Sequence, residues 1–300
     1  MRYLSILIVF VFGLLFSCNR KAQVDYAQYK QQILQWRQHR LQRLTRPDGW
    51  LSLAGLFWLH EGNNTFGFGK QNDIQFPGEK SPGRLGTIIL QNGQIRLETA
   101  PGAKIRINDK SVKTAELHSD ADGKPTIMYY KSYLWYVIKR GDRYAIRLKN
   151  TENPAIKNFK GIAYFPIDLK WRIRAKFVPY KPVKKVPIPT EIGTVEMQNT
   201  PGYLEFKVDG KVLHLNFYAE NPSDTMWTIF ADETSGRETY GAGRFLEVPP
   251  PDGAGMTVID FNKAYNPPCA FTDFATCPMA PKENYLPIRV TAGEKYGGDH

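Results

Sequence analysis

The chain opens on an apolar run, Leu4–Phe16, interrupted only by Ser5 and Gly13 and preceded by one basic residue, Arg2. A membrane-spanning helix needs roughly 20 apolar residues, so the run fits the hydrophobic part of a signal peptide over 1–17 that is removed on export. Asn19–Val24 are polar, and 18–25 reads as a tether. From Tyr26 to Leu44 the apolar positions Tyr29, Ile33, Trp36, Leu41 and Leu44 recur near helical spacing among Lys, Gln and Arg. This predicts an amphipathic helix over 26–46 that stops before Pro47. Arg40, Arg43 and Arg46 fall in its last turns, where cations favour the helix dipole. Its arginine side reads as solvated or as facing lipid headgroups.

Trp50–Leu59 is a dense apolar stretch, too short to span a membrane, and reads as core. From Asn64 the pattern changes to short runs of β-branched and aromatic residues at 87–90, 94–98, 104–107, 126–129, 134–139 and 144–148. Asn92-Gly93 separates two of these runs and is a strong hairpin signal. Asn108-Asp109, Asp122-Gly123 and Arg140-Gly141-Asp142 mark further turns. A small antiparallel β-sandwich or barrel over 47–158 is expected. A second block, 159–300, carries strand-like runs at 162–165, 171–177, 194–198, 203–208, 211–217, 226–231, 244–248 and 256–261, with Asp209-Gly210 as a hairpin turn. The Pro-rich stretch Val178–Pro189 reads as a linker or an edge-capping excursion. The expected fold is therefore mainly β: an amphipathic helix, a small antiparallel sandwich, and a second antiparallel sheet or barrel domain ending in a Pro/Asn/Cys loop.

Composition adds bounds. Hydrophobic content of 42% with 23% charged residues is that of a folded globular body. The formal net charge is +11, which raises nucleic acid as a partner. The basic residues are dispersed, however, and the densest groups, Arg37–Arg46 and Lys181–Lys185, lack the interleaved aromatics of a base-stacking platform. Nucleic acid is therefore set aside in favour of a glycan, a small anion or an envelope protein. No cofactor motif is present.

The end of the apolar run, Leu15-Phe16-Ser17-Cys18, resembles the bacterial lipobox, which implies acylation of Cys18 after cleavage. The expected location is the bacterial cell envelope, with the membrane contacted through the lipid. Asn19, in place of the Asp typical of inner-membrane retention, points to the outer membrane. With Cys18 acylated, Cys269 and Cys277 remain. A pair in an oxidising compartment is a disulfide candidate, with two free thiols as the alternative. Two thiolates alone do not complete a zinc tetrahedron, and His39, His60, His118, His214 and His300 are remote from them in sequence, so no metal site is assigned.

Phe66-Gly67, Asn72-Asp73-Ile74, Gly93 and Ile107-Asn108-Asp109 with Val112 resemble the forkhead-associated domain over about 62–148. That family reads phosphothreonine with an Arg after its first glycine pair and a Ser-x-x-His. Here Phe68 follows Gly67, and Ser81-Pro82-Gly83-Arg84 offers no histidine. The resemblance implies a sandwich shape and not that activity.

The least ordinary text is Thr234–Glu294. The turn Thr234-Ser235-Gly236-Arg237-Glu238-Thr239-Tyr240-Gly241-Ala242-Gly243-Arg244 is glycine-rich but lacks a P-loop ending. Asp260-Phe261-Asn262-Lys263-Ala264-Tyr265-Asn266-Pro267-Pro268-Cys269-Ala270-Phe271, Cys277-Pro278 and Asn284-Tyr285-Leu286-Pro287-Ile288 follow. With Pro47-Asp48-Gly49-Trp50-Leu51-Ser52-Leu53 and Trp171-Arg172, these strings resemble the bacterial family catalogued as domain of unknown function 1684, over about 26–295. The resemblance implies a two-part β-rich body and supplies no activity. Arg237, Glu238, Arg244, Asp260, Asn262, Tyr265 and Asn284 are the candidate ligand-binding residues, expected at one end of the second sheet, where arginines and amides suit an anionic or carbohydrate ligand. The functional reading is an exported binding module. The rival is a hydrolase or transferase using Glu238 and Asp260 as acid and base. The same residues also suit a third role, in which the arginines pair with the carboxylates and pin the loop.

Overall fold

The computed structural model describes residues 25–78, 82–221 and 223–297. The signal segment, Cys18 with most of its tether, Ser81 and His300 lie outside the described residues. The described residues are mainly β, with one long helix ahead of the strands, as the pattern predicts. Helix α1 spans Tyr26–Thr45, and Asp25 caps it by accepting from the backbone N–H groups of Ala27 and Gln28. After a short 3-10 turn come β1 (Leu53–Trp58), β2 (Gly62–Gly67), β3 (Ile74–Gln75), β4 (Gly86–Gln91), β5 (Gln94–Thr99), β6 (Arg106–Ile107), β7 (Lys110–Ser111), β8 (Thr114–Glu116), β9 (Met128–Tyr130), β10 (Tyr133–Arg140) and β11 (Arg143–Asn150). A one-turn helix α2 (Pro154–Asn158) leads to β12 (Arg172–Pro189), β13 (Val195–Val208), β14 (Lys211–Phe217), β15 (Met226–Asp232), β16 (Arg244–Val248), β17 (Met256–Asp260) and β18 (Tyr285–Leu286).

The first block is two sheets, ordered β1-β11-β10-β9-β6-β7 and β3-β2-β4-β5-β8. Alternate residues of each face the other sheet. Phe66, Phe76, Ile88, Leu97, Trp135 and Leu148 close the core between them. The hairpin turns fall where the sequence places them. Asn92-Gly93 and Asp209-Gly210 each hold two consecutive residues at positive φ (51° and 80°, 49° and 79°), the geometry a two-residue hairpin needs.

The second block packs β14-β13-β12-β17 against β16-β15-β18, around Trp171, Leu204, Phe206, Phe217, Phe230 and Phe261. Three expectations are corrected here. The Pro-rich stretch 178–189 is no linker: it is the outer half of one 18-residue strand. β12 has β17 on one side only over Arg172–Lys176, while β13 follows it to Pro189, with a register break between Pro179 and Lys184. Beyond Lys176 no strand among the described residues pairs with that edge, which keeps only the bonds of Phe177 N to Gly255 and of Met279 N to the Pro189 carbonyl, and along an unpaired edge a proline's missing N–H costs no ladder bond. Likewise, the runs 194–198 and 203–208 are one strand, β13. The run 162–165 is not a strand; it makes only an isolated bridge, Tyr164 to Glu294.

Candidate functional site

Helix α1 does not present all its arginines outward. Tyr29, Ile33, Arg40 and Leu44 are its buried residues, whereas Leu34 and Leu41 are exposed. Arg40 points into the protein because a carboxylate waits there: its Nε donates to Glu294 Oε1 (2.9 Å), and an Nη donates to the Asn266 carbonyl (2.8 Å). Glu294 is fully buried and also accepts from Asn266 N (2.7 Å). Burial pushes its carboxyl above the usual carboxylate range, and the Arg40 guanidinium opposes that shift. One turn earlier, Arg37 donates to the Phe165 carbonyl (3.0 Å).

The other end of the helix is seated by Asp260. Tyr29 Oη donates to Asp260 Oδ1 (2.8 Å), and Asn262 N donates to the same oxygen (3.1 Å). Burial and the neighbouring Asp260 carboxylate raise the Tyr29 phenol far above its ordinary value, so it stays protonated and donates. Asn262 then ties this corner to the Asp168 backbone through both its amide groups (2.9 and 3.1 Å).

The sequence-predicted residues therefore divide. Asp260 and Asn262 hold the helix. Arg244 is fully buried, donates to Asp232 Oδ2 (2.7 Å) and to the carbonyls of Val290 (3.0 Å) and Ala292 (2.5 Å), and so pins the last segment to β15. Asn284 is buried between β14 and β15: its Oδ1 accepts from Asn216 N (3.0 Å), and its Nδ2 reaches the carbonyls of Asn216 and Ile229 (3.1 and 3.0 Å). Glu238 pairs with Arg289 near the surface, and Arg237 is exposed. The glycine-rich turn is no phosphate cradle, because the N–H groups of Arg237, Glu238 and Thr239 all donate to the Thr234 carbonyl (2.9–3.2 Å). Cys269 and Cys277, the disulfide candidate, lie in contact with no bond between their sulfurs in this structure, each backbone N–H donating to the other's Sγ (3.1 and 3.2 Å). Neither Glu238 nor Asp260 lines the clefts described next. Among the described residues no group of three or more His, Cys, Asp or Glu is placed to hold a metal ion.

Tyr265 alone of the seven opens onto a groove. On β15 and β16 the side chains alternate: Thr228, Phe230, Leu246 and Val248 enter the core, while Trp227, Phe245 and Glu247 face outward. Phe245 and Tyr265 exchange backbone hydrogen bonds (2.7 and 2.9 Å), which brings their rings together edge to face at 85°. The result is a ladder of half-buried rings, Trp36–Tyr265–Phe245–Trp227, at centroid spacings of 6.3, 5.7 and 6.0 Å. Tyr265 Oη donates to Glu247 (3.2 Å), and the Arg40 guanidinium lies 4.9 Å from its ring.

Two hollows of about 580 and 300 Å³ run along this ladder and share Thr225, Glu247 and Tyr265. A third, about 370 Å³, continues past Tyr265 to Arg43, Arg46, Trp50 and Lys149. Each is within the range of small-ligand sites. Lys149 Nζ donates to the Asp48 carbonyl (2.6 Å), and burial lowers its pKa from the ordinary 10.5. A separate hollow of about 320 Å³ on the sandwich, beside Arg96 and His118, has no Phe, Tyr or Trp in its wall. The sequence missed Trp36, Trp227 and Phe245 as site residues. For Trp227 and Phe245 the alternation with core residues along their strands was the available signal, but it did not say which outward rings would meet.

A family described as "Protein of unknown function (DUF1684)" matches residues 157–295, a shorter stretch than the 26–295 expected. A solution NMR structure of an uncharacterized protein of Haloarcula marismortui is 32% identical, with 48% of this chain and 80% of that one covered, at a TM-score of 0.40. A crystal structure of Rad53 1–466 in complex with AMP-PNP is 10% identical, with 66% of this chain and 46% of that one covered, at a TM-score of 0.16. No curated protein matches the chain.

Proposed function

From the premise that the chain belongs to the family described as protein of unknown function (DUF1684), we propose that it is an exported binding module for an anionic saccharide, held at the envelope by a lipid on Cys18. The observation that carries the reading is the aromatic ladder lying end to end with a basic cleft. Half-buried rings offer apolar surface to the C–H groups of sugar rings, while a few polar groups fix orientation. Arginines supply the planar, permanently charged fork that suits carboxylate or phosphate. Arg43 is exposed at the junction of the two parts, and Glu247 with the Tyr265 hydroxyl offers hydrogen bonds to sugar hydroxyls.

Calorimetry of the mature chain with an oligogalacturonate and with a neutral oligosaccharide of equal length tests the reading. The acidic oligomer is expected to bind at one site and the neutral one more weakly. Equal affinity for both, or heat from neither, removes the proposal. Trp227→Ala is expected to weaken binding about tenfold, since losing one stacked ring removes on the order of 1.4 kcal/mol. A modest fall in melting temperature is expected beside it, because the half-buried ring also packs on Tyr218 (5.0 Å) and Phe245 (6.0 Å).

The anchor rests on the sequence. Acyl chains hold a protein by about 0.8 kcal/mol per buried methylene. Among the described residues no helix is long and apolar enough to cross a membrane. Cys18→Ala, expressed with its leader, is expected to move the protein from the membrane to the aqueous fraction; retention in the membrane fraction contradicts acylation as the tether.

A further inference from the structure

The sheet β14-β13-β12-β17 turns one face to the core through Ala175, Leu204, Leu215 and Ile259. The residues between these point the other way. Lys176, Glu205 and His214 form one row across β12, β13 and β14, and Val178, Tyr203 and Asn216 form the next. Lys207 pairs with Val212 on the same face, and Arg174 with Val258 on β17. Arg174, Lys176, Lys207, Val212 and His214 are exposed. Tyr180, Tyr203 and His214 meet ring to ring at 5.6 and 4.9 Å, and Lys184 Nζ lies 3.7 Å from the centre of the Tyr180 ring.

This outer face is basic. Arg172, Arg174, Lys176 and Lys207 share it with the carboxylates Glu205 and Asp260. Glu205 meets His214 (3.2 Å), and Asp260 is engaged by Tyr29 and Asn262. Asp260 also ties the face to the start of the described chain: it pairs with Arg172 in the ladder and seats Tyr29, so α1 begins at the edge of the face. The Arg172 guanidinium lies 5.9 Å from the Tyr29 ring. Cys18 precedes Asp25 by seven residues, which reach at most about 25 Å. β12 alone, at 18 residues, is roughly 60 Å long. A tether shorter than the body keeps the end where α1 begins close to the surface that holds the lipid.

We propose that this sheet face lies on the anionic phospholipid headgroups of the leaflet that anchors the chain; the choice of occupant rests on the lipid-anchor reading of Cys18. Lysines and arginines are drawn to the negative surface potential of such a leaflet, within about a Debye length of it. Tyr180 and Tyr203 bring amphipathic rings to headgroup level, where one side is apolar and the other wet. Trp227 and Phe245 face outward from the opposing sheet, so the aromatic groove opens away from the leaflet.

The test is cosedimentation of the mature chain, made without its leader so that Cys18 carries no lipid, with phosphatidylcholine vesicles holding about one-quarter phosphatidylglycerol. Binding is expected, with release at about 0.5 M salt, where the Debye length falls to roughly 4 Å. Vesicles of phosphatidylcholine alone are expected to bind far less. Each cation at an anionic surface contributes about fivefold, so Arg174→Gln/Lys207→Gln is expected to weaken binding about 25-fold. Its melting temperature and its oligogalacturonate binding are expected to match the parent's, since both side chains are exposed and outside the groove. No binding to the mixed vesicles, equal binding to both kinds, or parent-like binding by the double variant overturns the proposal. So does a face that takes polygalacturonate instead, read as a loss of polygalacturonate binding in the double variant while the vesicles stay bare. The lipid-free chain keeps this result apart from that of Cys18→Ala, which tests the anchor alone.

Discussion

Arg244→Met is expected to destabilise the protein by about 3–5 kcal/mol, the cost of leaving one partner of a buried ion pair uncompensated. The guanidinium is wholly buried. It is the group that neutralises Asp232 and satisfies the carbonyls of Val290 and Ala292. Methionine fills much of the same volume, so a cavity contributes little. What is lost is charge and hydrogen bonding in a place water does not reach. Urea denaturation checks the size of the effect. The double variant Arg244→Met/Asp232→Leu separates its causes, and most of the loss is expected to be recovered because removing both charges leaves no buried ion. If the single variant loses under 1 kcal/mol, Arg244 is not the pin of the C-terminal segment.

Arg40→Ala is expected to cost a similar amount, about 3–5 kcal/mol near neutral pH, and to loosen helix α1. Glu294 would remain buried with its backbone donor from Asn266 but without its cation. The pH dependence follows from the sign of the shift. In the folded protein burial already raises the Glu294 pKa above the ordinary 4.5, with Arg40 opposing. A raised folded pKa gives stability that is complete below the unfolded value and is lost as pH rises through the folded one. Removing Arg40 raises the folded pKa further and widens that window. The variant is therefore expected to close part of its gap to the parent as pH falls toward 4.5, when Glu294 takes up a proton. Amide exchange along Tyr26–Thr45 is expected to quicken in the variant, since Arg40 ties the helix's second half to the body. A gap that widens on acidification contradicts this account of the pair.

What could be read from the sequence was what depends on neighbours in the chain. Asn92-Gly93 and Asp209-Gly210 announce their turns because positive φ is a property of those two residues alone. Helix α1 follows from the spacing of its apolar positions and from Pro47 behind it. The Pro-rich half of β12 misleads, because whether a proline is tolerated depends on which strand edge is unpaired, and the chain alone does not say that β17 stops at Lys176. Arg40 misleads in the same way: four residues from Trp36 and three from Arg43, it reads as surface until Glu294, 254 positions away, is placed beneath it.

The candidate residues show the same limit. Arg244, Asp260, Asn262 and Asn284 are chemically suited to a ligand, and each is occupied in holding one element to another. Composition does not distinguish a polar group that binds from one that braces; partners and burial do. Tyr265 faces both ways: its backbone pairs with Phe245, and its ring joins the ladder. The groove is assembled from α1, β15, β16 and the loop after β17, so no single stretch of sequence carries its outline.

The most direct measurement is a crystal structure of the mature chain soaked with an oligogalacturonate. The expected result is a sugar ring against Trp227 or Tyr265, with a carboxylate in hydrogen-bonding distance of Arg43 or Lys149. Saccharide bound beside Arg96 and His118 on the sandwich, or a groove left bare at ligand concentrations that saturate the protein in solution, would contradict it.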